Sequence, residues 1–355
     1  MNGSAVPITP FAAEAGLEVF SDIDALPADC DGLLDGAARH SFFLGRAWWR
    51  CMQHAGLPAG AEAQYVLCRL GGVPAALLPL LRHGAATGSL TNPYSCLYQP
   101  ILAAGLDAPA LMAVGAGLAR FCRAHAALRL DGLPADMDSL APLLAGLRRG
   151  GIRAESFAAY GNWRQSVAGL GWEAYLAGRP GELRTTIARK LRRSETAWRI
   201  VDGAAGLEAG IATYGAVYAR SWKQAEPYPD FCAEMMRRAA AAGALRLGIL
   251  EAAGTPVAVQ IWIVANGQAC VVKLAHDAAA KALSPGTVLT ALMIRHLLSH
   301  EAVTALDFGR GDDPYKALWV DRRDQRIGLL LLNWRRPRGL ALLARQSLAR
   351  LRRVD

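Results

Sequence analysis

The sequence predicts an α/β chain built from two copies of one unit. Three observations carry this. The length, 355 residues, suits two domains of about 150 residues each. Strand-length apolar runs alternate with helix-length ones. Two predicted hairpins also share their wording: Gly72-Val73-Pro74-Ala75-Ala76 and Gly254-Thr255-Pro256-Val257-Ala258 repeat G-x-P-x-A at an offset of 182 residues. Each follows an apolar strand and opens another. Each half also has an upstream aromatic–basic element, Trp48-Trp49-Arg50 and Ser221-Trp222-Lys223. Duplication accounts for all of this; favourable turn chemistry used twice accounts for the hairpins alone.

Apolar residues make up 53% and charged residues 19%, with mean hydropathy +0.17. That composition supports a large core and excludes a disordered chain. No apolar run approaches the roughly 20 residues that cross a bilayer; the longest tight run, 327–332, is strand-length. Residues 1–10 place no basic stretch before an apolar core, so they do not read as a signal peptide. The seven cysteines are odd in number, widely spaced and without C-x-x-C. This argues against a disulfide framework or a zinc site and points to a reducing cytoplasm.

The net charge is +9, with pI about 9.4, and the excess is local. Residues 179–199 carry +5 and residues 335–355 carry +6, leaving the remainder near −2. A near-neutral globule with two basic segments does not coat nucleic acid uniformly. Those segments suit phosphate, an acidic lipid surface or water.

In chain order, residues 1–35 form an N-terminal extension. A helix over 41–56 carries Phe42, Phe43, Trp48, Trp49 and Met52. Strands over 64–70 and 73–81 flank the Gly71-Gly72 turn. A helix over 111–125 and a short strand over 127–131 follow. The second half repeats the plan with helices over 209–222 and 230–242, then strands over 244–251 and 256–264. Asn266-Gly267 is the strongest hairpin signal and opens a strand over 268–275. A loop ending Ser284-Pro285-Gly286 leads to a helix over 287–300, then strands over 304–308 and 326–334, and a basic helix over 338–353. The expected domains are 36–170 and 171–335, followed by a C-terminal helix in 336–355.

Ser284, Pro285, Gly286 and Thr287 suit a helix start whose free N–H groups take phosphate, with Gly286 allowing close approach. The same residues suit an ordinary N-cap with proline at the first helical position. Lys273 and His276 close the central strand on opposite faces. His276 has the unperturbed acidity of a base at neutral pH, or is simply structural. Asp307-Phe308-Gly309 lacks the companions of the kinase magnesium motif and suits the carboxyl edge of a sheet, where ligands bind. Asp312 or Asp313 then caps a turn before Pro314. Tyr315 and Trp319 share a helical face: Trp319 is core, Tyr315 a proton donor or a packed tyrosine, and Lys316 a phosphate or carboxylate contact or a solvated lysine. His296 and His300 stand at metal-ligand spacing without the glutamate of H-E-x-x-H, so no metal is expected. Helix 338–353 sets Leu340, Leu343 and Leu351 opposite arginines and would rest on an anionic membrane surface or pack on the sheet.

The order strand, turn with proline, strand, Asn-Gly, strand, loop, helix, strand resembles the GCN5-related N-acetyltransferase (GNAT) fold. Arg189-Lys190-Leu191-Arg192-Arg193, Ser221-Trp222-Lys223, Ser284-Pro285-Gly286 and Asp307-Phe308-Gly309-Arg310-Gly311 with Tyr315-Lys316 and Trp319 resemble the BioF2-like acetyltransferase family over about residues 30–335. That family is related to the CelD-type proteins of polysaccharide clusters and, distantly, to Fem-type aminoacyltransferases.

The resemblance implies α/β architecture with tandem GCN5-related acyl-CoA N-acyltransferase domains, mixed central sheets flanked by helices. It implies transfer of an acyl group from acyl-CoA, typically acetyl-CoA, to an amine of a sugar, amino acid or cell-envelope intermediate. The expected catalytic residues are His276, Tyr315 and Asp312. Lys273, Ser284, Gly286, Thr287 and Lys316 would hold the donor, and Trp222, Gln260 and Trp262 would line the acceptor side. The first half would be a degenerate copy shaping the acceptor cleft. The usual pyrophosphate loop, Q/R-x-x-G-x-G/A, is replaced here by Lys281-Ala282-Leu283-Ser284-Pro285-Gly286. An acyl carrier, or an aminoacyl-tRNA gripped by residues 184–199, therefore stays open as donor, as does a non-catalytic partner of polysaccharide assembly. The expected place is the cytoplasm, including the inner membrane face.

Overall fold

The computed structural model describes residues 15–193 and 196–351. Residues 1–14 of the expected extension, Glu195 of the basic segment and residues 352–355 of the final helix lie outside the described residues.

The first half runs β1 (Ala15–Phe20), α1 (Asp31–His40), α2 (Arg46–Ala55), β2 (Ala61–Leu70), β3 (Val73–His83), β4 (Ala86–Ser89), β5 (Ile101–Leu102), α3 (Ala108–Cys122), β6 (Ala127–Pro134), α4 (Leu140–Arg149) and β7 (Arg153–Ser166). The second runs α5 (Trp172–Ala177), α6 (Gly181–Arg193), β8 (Thr196–Val201), α7 (Leu207–Ala219), α8 (Phe231–Ala241), β9 (Leu245–Ala252), β10 (Thr255–Ala265), β11 (Gln268–His276), α9 (Pro285–His300), β12 (Ala305–Arg310), α10 (Lys316–Trp319), β13 (Arg322–Leu332) and α11 (Pro337–Leu351).

One mixed sheet takes the order β1-β2-β3-β4-β6-β13-β7-β12-β11-β10-β9-β8, with β5 on β3. From either end it reads alike: three antiparallel neighbours, one parallel pair (β4 with β6, β11 with β12), then a central antiparallel strand. The centre is an exchange. β13, from the end of the chain, pairs with β6 of the first half, while β7, from the first half, pairs with β12 of the second. β13 and β7 pair with each other over their whole length. Two strands therefore cross the expected boundary at 170/171.

The repeated hairpins occupy equivalent places. Gly71-Gly72 turns β2 into β3 with φ of 57° and 83°, and Ala253-Gly254 turns β9 into β10 with φ of 46° and 74°. Two positive φ values match the right-handed twist of the flanking strands. Along β10, alternate residues separate two layers. Val259, Ile261 and Ile263 join the core shared with α7, α8 and the first half. Ala258 and Trp262 face the core under α9, α5 and α6. Phe231, fully buried, stacks on Tyr94 at 4.5 Å and meets Trp48 edge-on at 5.6 Å, joining the halves through one aromatic cluster.

Candidate active site

β11 and β12 run parallel, yet only Gln268↔Ala305, Ala269↔Leu306 and Cys270↔Asp307 are paired. Beyond them the strands diverge, β11 to His276 and β12 to Arg310. The cause lies in Asp307. Its Oδ1 accepts the Gly309 N–H at 2.6 Å, and both carboxylate oxygens accept from Asn162 Nδ2 at 3.2 Å. That local bond bends the chain so that Gly309 takes φ +64°, and the pairing of β12 with β7 shifts between Asp307 and Arg310. A Cβ at 309 would stand 3.2 Å from both Cys96 Sγ and the Val271 carbonyl, so glycine suits both the φ and the space. The resulting gap is a cavity of about 110 Å³, walled by Val271, Lys273, Phe308, Arg310, Tyr315 and Lys316, with Tyr94 and Lys223 from outside the two strands.

β11 leads into α9 at the mouth of this gap. Asp277 accepts the Ala279 N–H at 2.9 Å and pairs with Arg220 at 2.7 Å. After a short 3-10 turn, Ser284 adopts a left-handed conformation (φ 52°), its side chain making no cap bond, and Pro285 opens the helix. The first-turn N–H groups of a helix have no intrahelical partner, so a 16-residue helix presents its positive end here. Ser284, Gly286, Thr287 and His276 meet at this point: a Cβ at 286 would come within 3.3 Å of the His276 ring. The exposed Trp222 packs on that ring at 4.3 Å.

Four expected residues behave otherwise. Gln260 and Trp262 are buried beneath α9 and do not line an acceptor path. Gln260 Nε2 donates to Thr290 Oγ1 at 2.6 Å and to the Gly286 carbonyl at 3.3 Å, and Trp262 Nε1 donates to Gln260 Oε1 at 2.9 Å. Together they fix the start of α9 on the sheet. α9 covers the face that carries both side chains. Lys316, 3% exposed, is no free phosphate contact. Its Nζ donates to the carbonyls of Arg310 at 2.6 Å and Gly311 at 3.2 Å and braces the loop after β12. Asp312 is exposed and clamped by Arg323 at 2.6 and 2.8 Å, with Trp163 Nε1 at 3.2 Å. The Arg323 guanidinium holds its carboxyl down to about 2, which suits a clasp between the loop, β7 and β13 rather than a proton acceptor.

Tyr315 lines the gap, and burial pushes its phenol up, so it stays protonated and able to donate. Trp319 is core, as expected. His296 and His300 stack on each other at 4.8 Å. Among the described residues, no group of three or more His, Cys, Asp or Glu could hold a metal.

Sequence reasoning missed a second set, centred on Glu226. One carboxylate oxygen takes Lys273 Nζ at 3.0 Å and the Tyr94 hydroxyl; the other accepts the Tyr214 hydroxyl at 3.0 Å. Burial pushes Glu226 up, but the bonds from Tyr94, Lys273 and Tyr214 more than offset this and hold it below its ordinary value. Lys273 Nζ also lies 4.7 Å from the centre of the Tyr94 ring. Lys223, beside this group, is pushed down to about 8 by burial and by the charge of Lys273. Tyr94 lies 132 positions from Glu226, while Tyr214 and Lys273 lie 12 and 47 positions from it. Sequence reasoning had singled out Lys223 and Lys273, but not the carboxylate and phenols that meet them.

The splayed parallel pair followed by an open helix N-terminus is the arrangement that decides the comparison. Residues 181–317 match the family model described as "Acetyltransferase (GNAT) domain". This segment is a GNAT acetyltransferase domain. The second half thus carries the GNAT acetyltransferase fold, and the exchanged sheet repeats its strand plan in the first half. Among solved structures, FemX is 11% identical, with TM-score 0.61 over 89% of this chain and 98% of its own. The C-terminal domain of a lysylphosphatidylglycerol synthetase from Agrobacterium fabrum is 12% identical, with TM-score 0.57 over 90% and 97%. A conserved protein of unknown function from Bacteroides thetaiotaomicron is 12% identical, with TM-score 0.53 over 86% and 97%. At these identities the likeness is one of fold. No curated protein matches the chain.

Proposed function

We propose that this GNAT domain moves an acyl group from acyl-CoA to an amine, with the thioester lodged between β11 and β12. The observation that carries the reading is the gap itself: three paired residues, then no further pairing between β11 and β12, ending at the N-terminus of α9. Pyrophosphate would lie on the N–H groups of Gly286 and Thr287, and Lys190 and Lys281 flank that loop. The backbone of β11 beyond Cys270 would polarise the thioester carbonyl, since fixed dipoles in a dry gap act strongly on developing charge.

The acceptor nitrogen attacks the thioester carbon, the C–S bond breaks, and the thiolate takes the Tyr315 proton. The proton lost by nitrogen passes to His276 at the mouth of the gap. Direct attack fits better than an acyl-enzyme. Cys270 is buried, and its bond to Cys96 together with burial pushes its thiol up, away from the nucleophilic thiolate.

Calorimetric titration of the full chain with CoA and acetyl-CoA tests this. Micromolar binding that Gly286→Glu removes is expected; binding that survives the substitution would overturn the phosphate assignment. A chain that ignores CoA but binds RNA with steep salt dependence would point to an aminoacyl-tRNA donor. The exposed Arg184, Arg189 and Arg192 of α6 supply the surface for that outcome.

The acceptor we assign is an amine on a small molecule, a glycan or an envelope intermediate, met in the cytoplasm. No helix among the described residues is long and apolar enough to cross a membrane. α11 instead offers the exposed Leu340 and Leu342 beside the exposed Trp334, with Arg335, Arg336, Arg338 and Arg345 around them. That combination suits the surface of an anionic bilayer.

A further inference from the structure

The chain contains five lysines against 34 arginines. Lys223, Lys273 and Lys316 line the gap between the splayed strands. Lys281 lies in the 3-10 turn before α9, and Lys190 Nζ donates to the Ala282 carbonyl in that turn. The whole lysine complement thus stands around the donor loop and the reaction gap, while arginine serves the rest of the surface. Lysine differs from arginine in being a compact point charge that can lose its proton.

The three lysines of the gap are not equivalent. The charge of Lys273 is met by Glu226 at 3.0 Å. Lys316 is held by backbone carbonyls and lies 3.5 Å from Asp313. Lys223 has no carboxylate within ion-pair distance among the described residues; its Nζ faces the Trp222 ring at 5.7 Å. Across the cavity Arg310 stacks on Tyr160 at 4.3 Å. The gap therefore holds four cationic side chains against Glu226 and the exposed Asp313. Two of the four have no carboxylate within ion-pair distance among the described residues: Arg310, which is exposed, and Lys223, which is half-buried. A half-buried cation without a partner is held at a cost in solvation, which an arriving anion relieves.

We propose that Lys223 is the counter-charge for a carboxylate or phosphate carried by the acceptor next to its reacting amine. This rests on the acyl-transfer reading of the same gap and narrows the acceptor to an anionic amine. The lowered pKa of Lys223 agrees with this: the ammonium is disfavoured until the anion arrives, so binding near pH 8 draws in a proton.

The test uses the full chain and two readouts. With five lysines, peptide mapping after limited acetic anhydride labelling at pH 8 resolves each of them. Lys223 should label fastest. Glycine, β-alanine or γ-aminobutyrate at millimolar concentration should protect it severalfold, and methylamine, ethylamine or propylamine should not. In transfer from acetyl-CoA, read as thiol release, the preference for the amino acid over its paired amine should be about tenfold, the effect of one well-placed ion pair. It should collapse in Lys223→Gln and return in Lys223→Arg.

Equal protection by acids and amines, or protection by CoA alone, overturns the proposal. So does a Lys223→Gln variant that slows both acceptor types equally. Transfer without acid preference sinks the anion site and leaves the acyl-transfer reading standing. Protection by acids without any transfer from acetyl-CoA sinks the donor reading and leaves the anion site standing.

Discussion

The two parallel pairs of the sheet descend to the same position in each half and have become opposites. In the first half β4 meets β6 at Gly88↔Arg129, so tightly that a Cβ on Gly88 would lie 2.6 Å from the Arg129 carbonyl. One step on, the Ser89 hydroxyl accepts the Asp131 N–H at 2.9 Å and closes the opening. The helix that follows, α3, is capped by Asp107, whose carboxylate takes the Ala110 N–H at 2.9 Å. In the second half the pair separates after three residues, the gap stays open, and the helix that follows has no side-chain cap. The lesson is electrostatic. An aspartate at a helix N-terminus supplies the anion that a phosphate would otherwise supply. The first half carries its own anion at this place, and the second leaves it without one.

The strongest way to break this comparison is to remove what the halves share. Deleting residues after 320 takes away β13, which pairs with both β6 and β7; cooperative thermal unfolding should disappear by calorimetry. Phe231→Ala removes the ring that stacks on Tyr94 and meets Trp48. It should cost about 3–5 kcal/mol in denaturant unfolding.

Exchanging the caps sharpens the contrast. Ser284→Asp gives α9 the anion that α3 already has. It should weaken CoA binding about tenfold, the order of a helix-terminus charge effect, without loss of stability. Asp107→Ala should cost about 1 kcal/mol of stability and leave CoA affinity alone. Unchanged CoA affinity in Ser284→Asp would mean that the two helix ends do not differ in role.

The smallest effect is at Asp312, which holds the loop beyond β12 to Arg323. Its folded pKa is depressed to about 2, below the unfolded value of about 3.9. The contribution is therefore present above the unfolded value and lost as pH falls toward 2. The pair is exposed, so the whole contribution should be about 0.5 kcal/mol. Asp312→Asn should flatten that part of the acid-stability curve.

Much of this architecture was legible because it is local. The hairpins at 71–72, 253–254 and 266–267, the helix opening at Pro285 and the strand ending in Asp307-Phe308-Gly309 are all written in neighbouring residues. β7 was not expected. Its sequence, Arg-Ala-Glu-Ser-Phe-Ala-Ala-Tyr-Gly-Asn-Trp-Arg-Gln-Ser, has no clean alternation, and it is a strand because β12 and β13 pair with it on both sides. β1 and α1 lay unseen in the expected extension for a similar reason: β1 is held by β2. At the site, helix-start chemistry located Ser284 to Thr287, but strand periodicity could not say which face α9 covers, so Gln260 and Trp262 were assigned to the acceptor side. Glu226, Tyr94 and Tyr214 converge only in the fold. One usable signal was overlooked: a chain this rich in arginine keeps its five lysines where a compact, titratable cation serves.

The exchange of β13 and β7 also bears on how the molecule is made. Leu128 pairs with Leu331, 203 residues further on. During vectorial synthesis the first half emerges with the open edge of β6 waiting for a strand that arrives near the end of translation. Such long-range pairing is slow because loop closure comes before reward, and an unpaired edge invites foreign strands. The nascent chain should therefore lean on holding chaperones until its last strand is released. A gene split between the two copies should yield two insoluble pieces, although each copy carries its own hairpins and its own parallel pair.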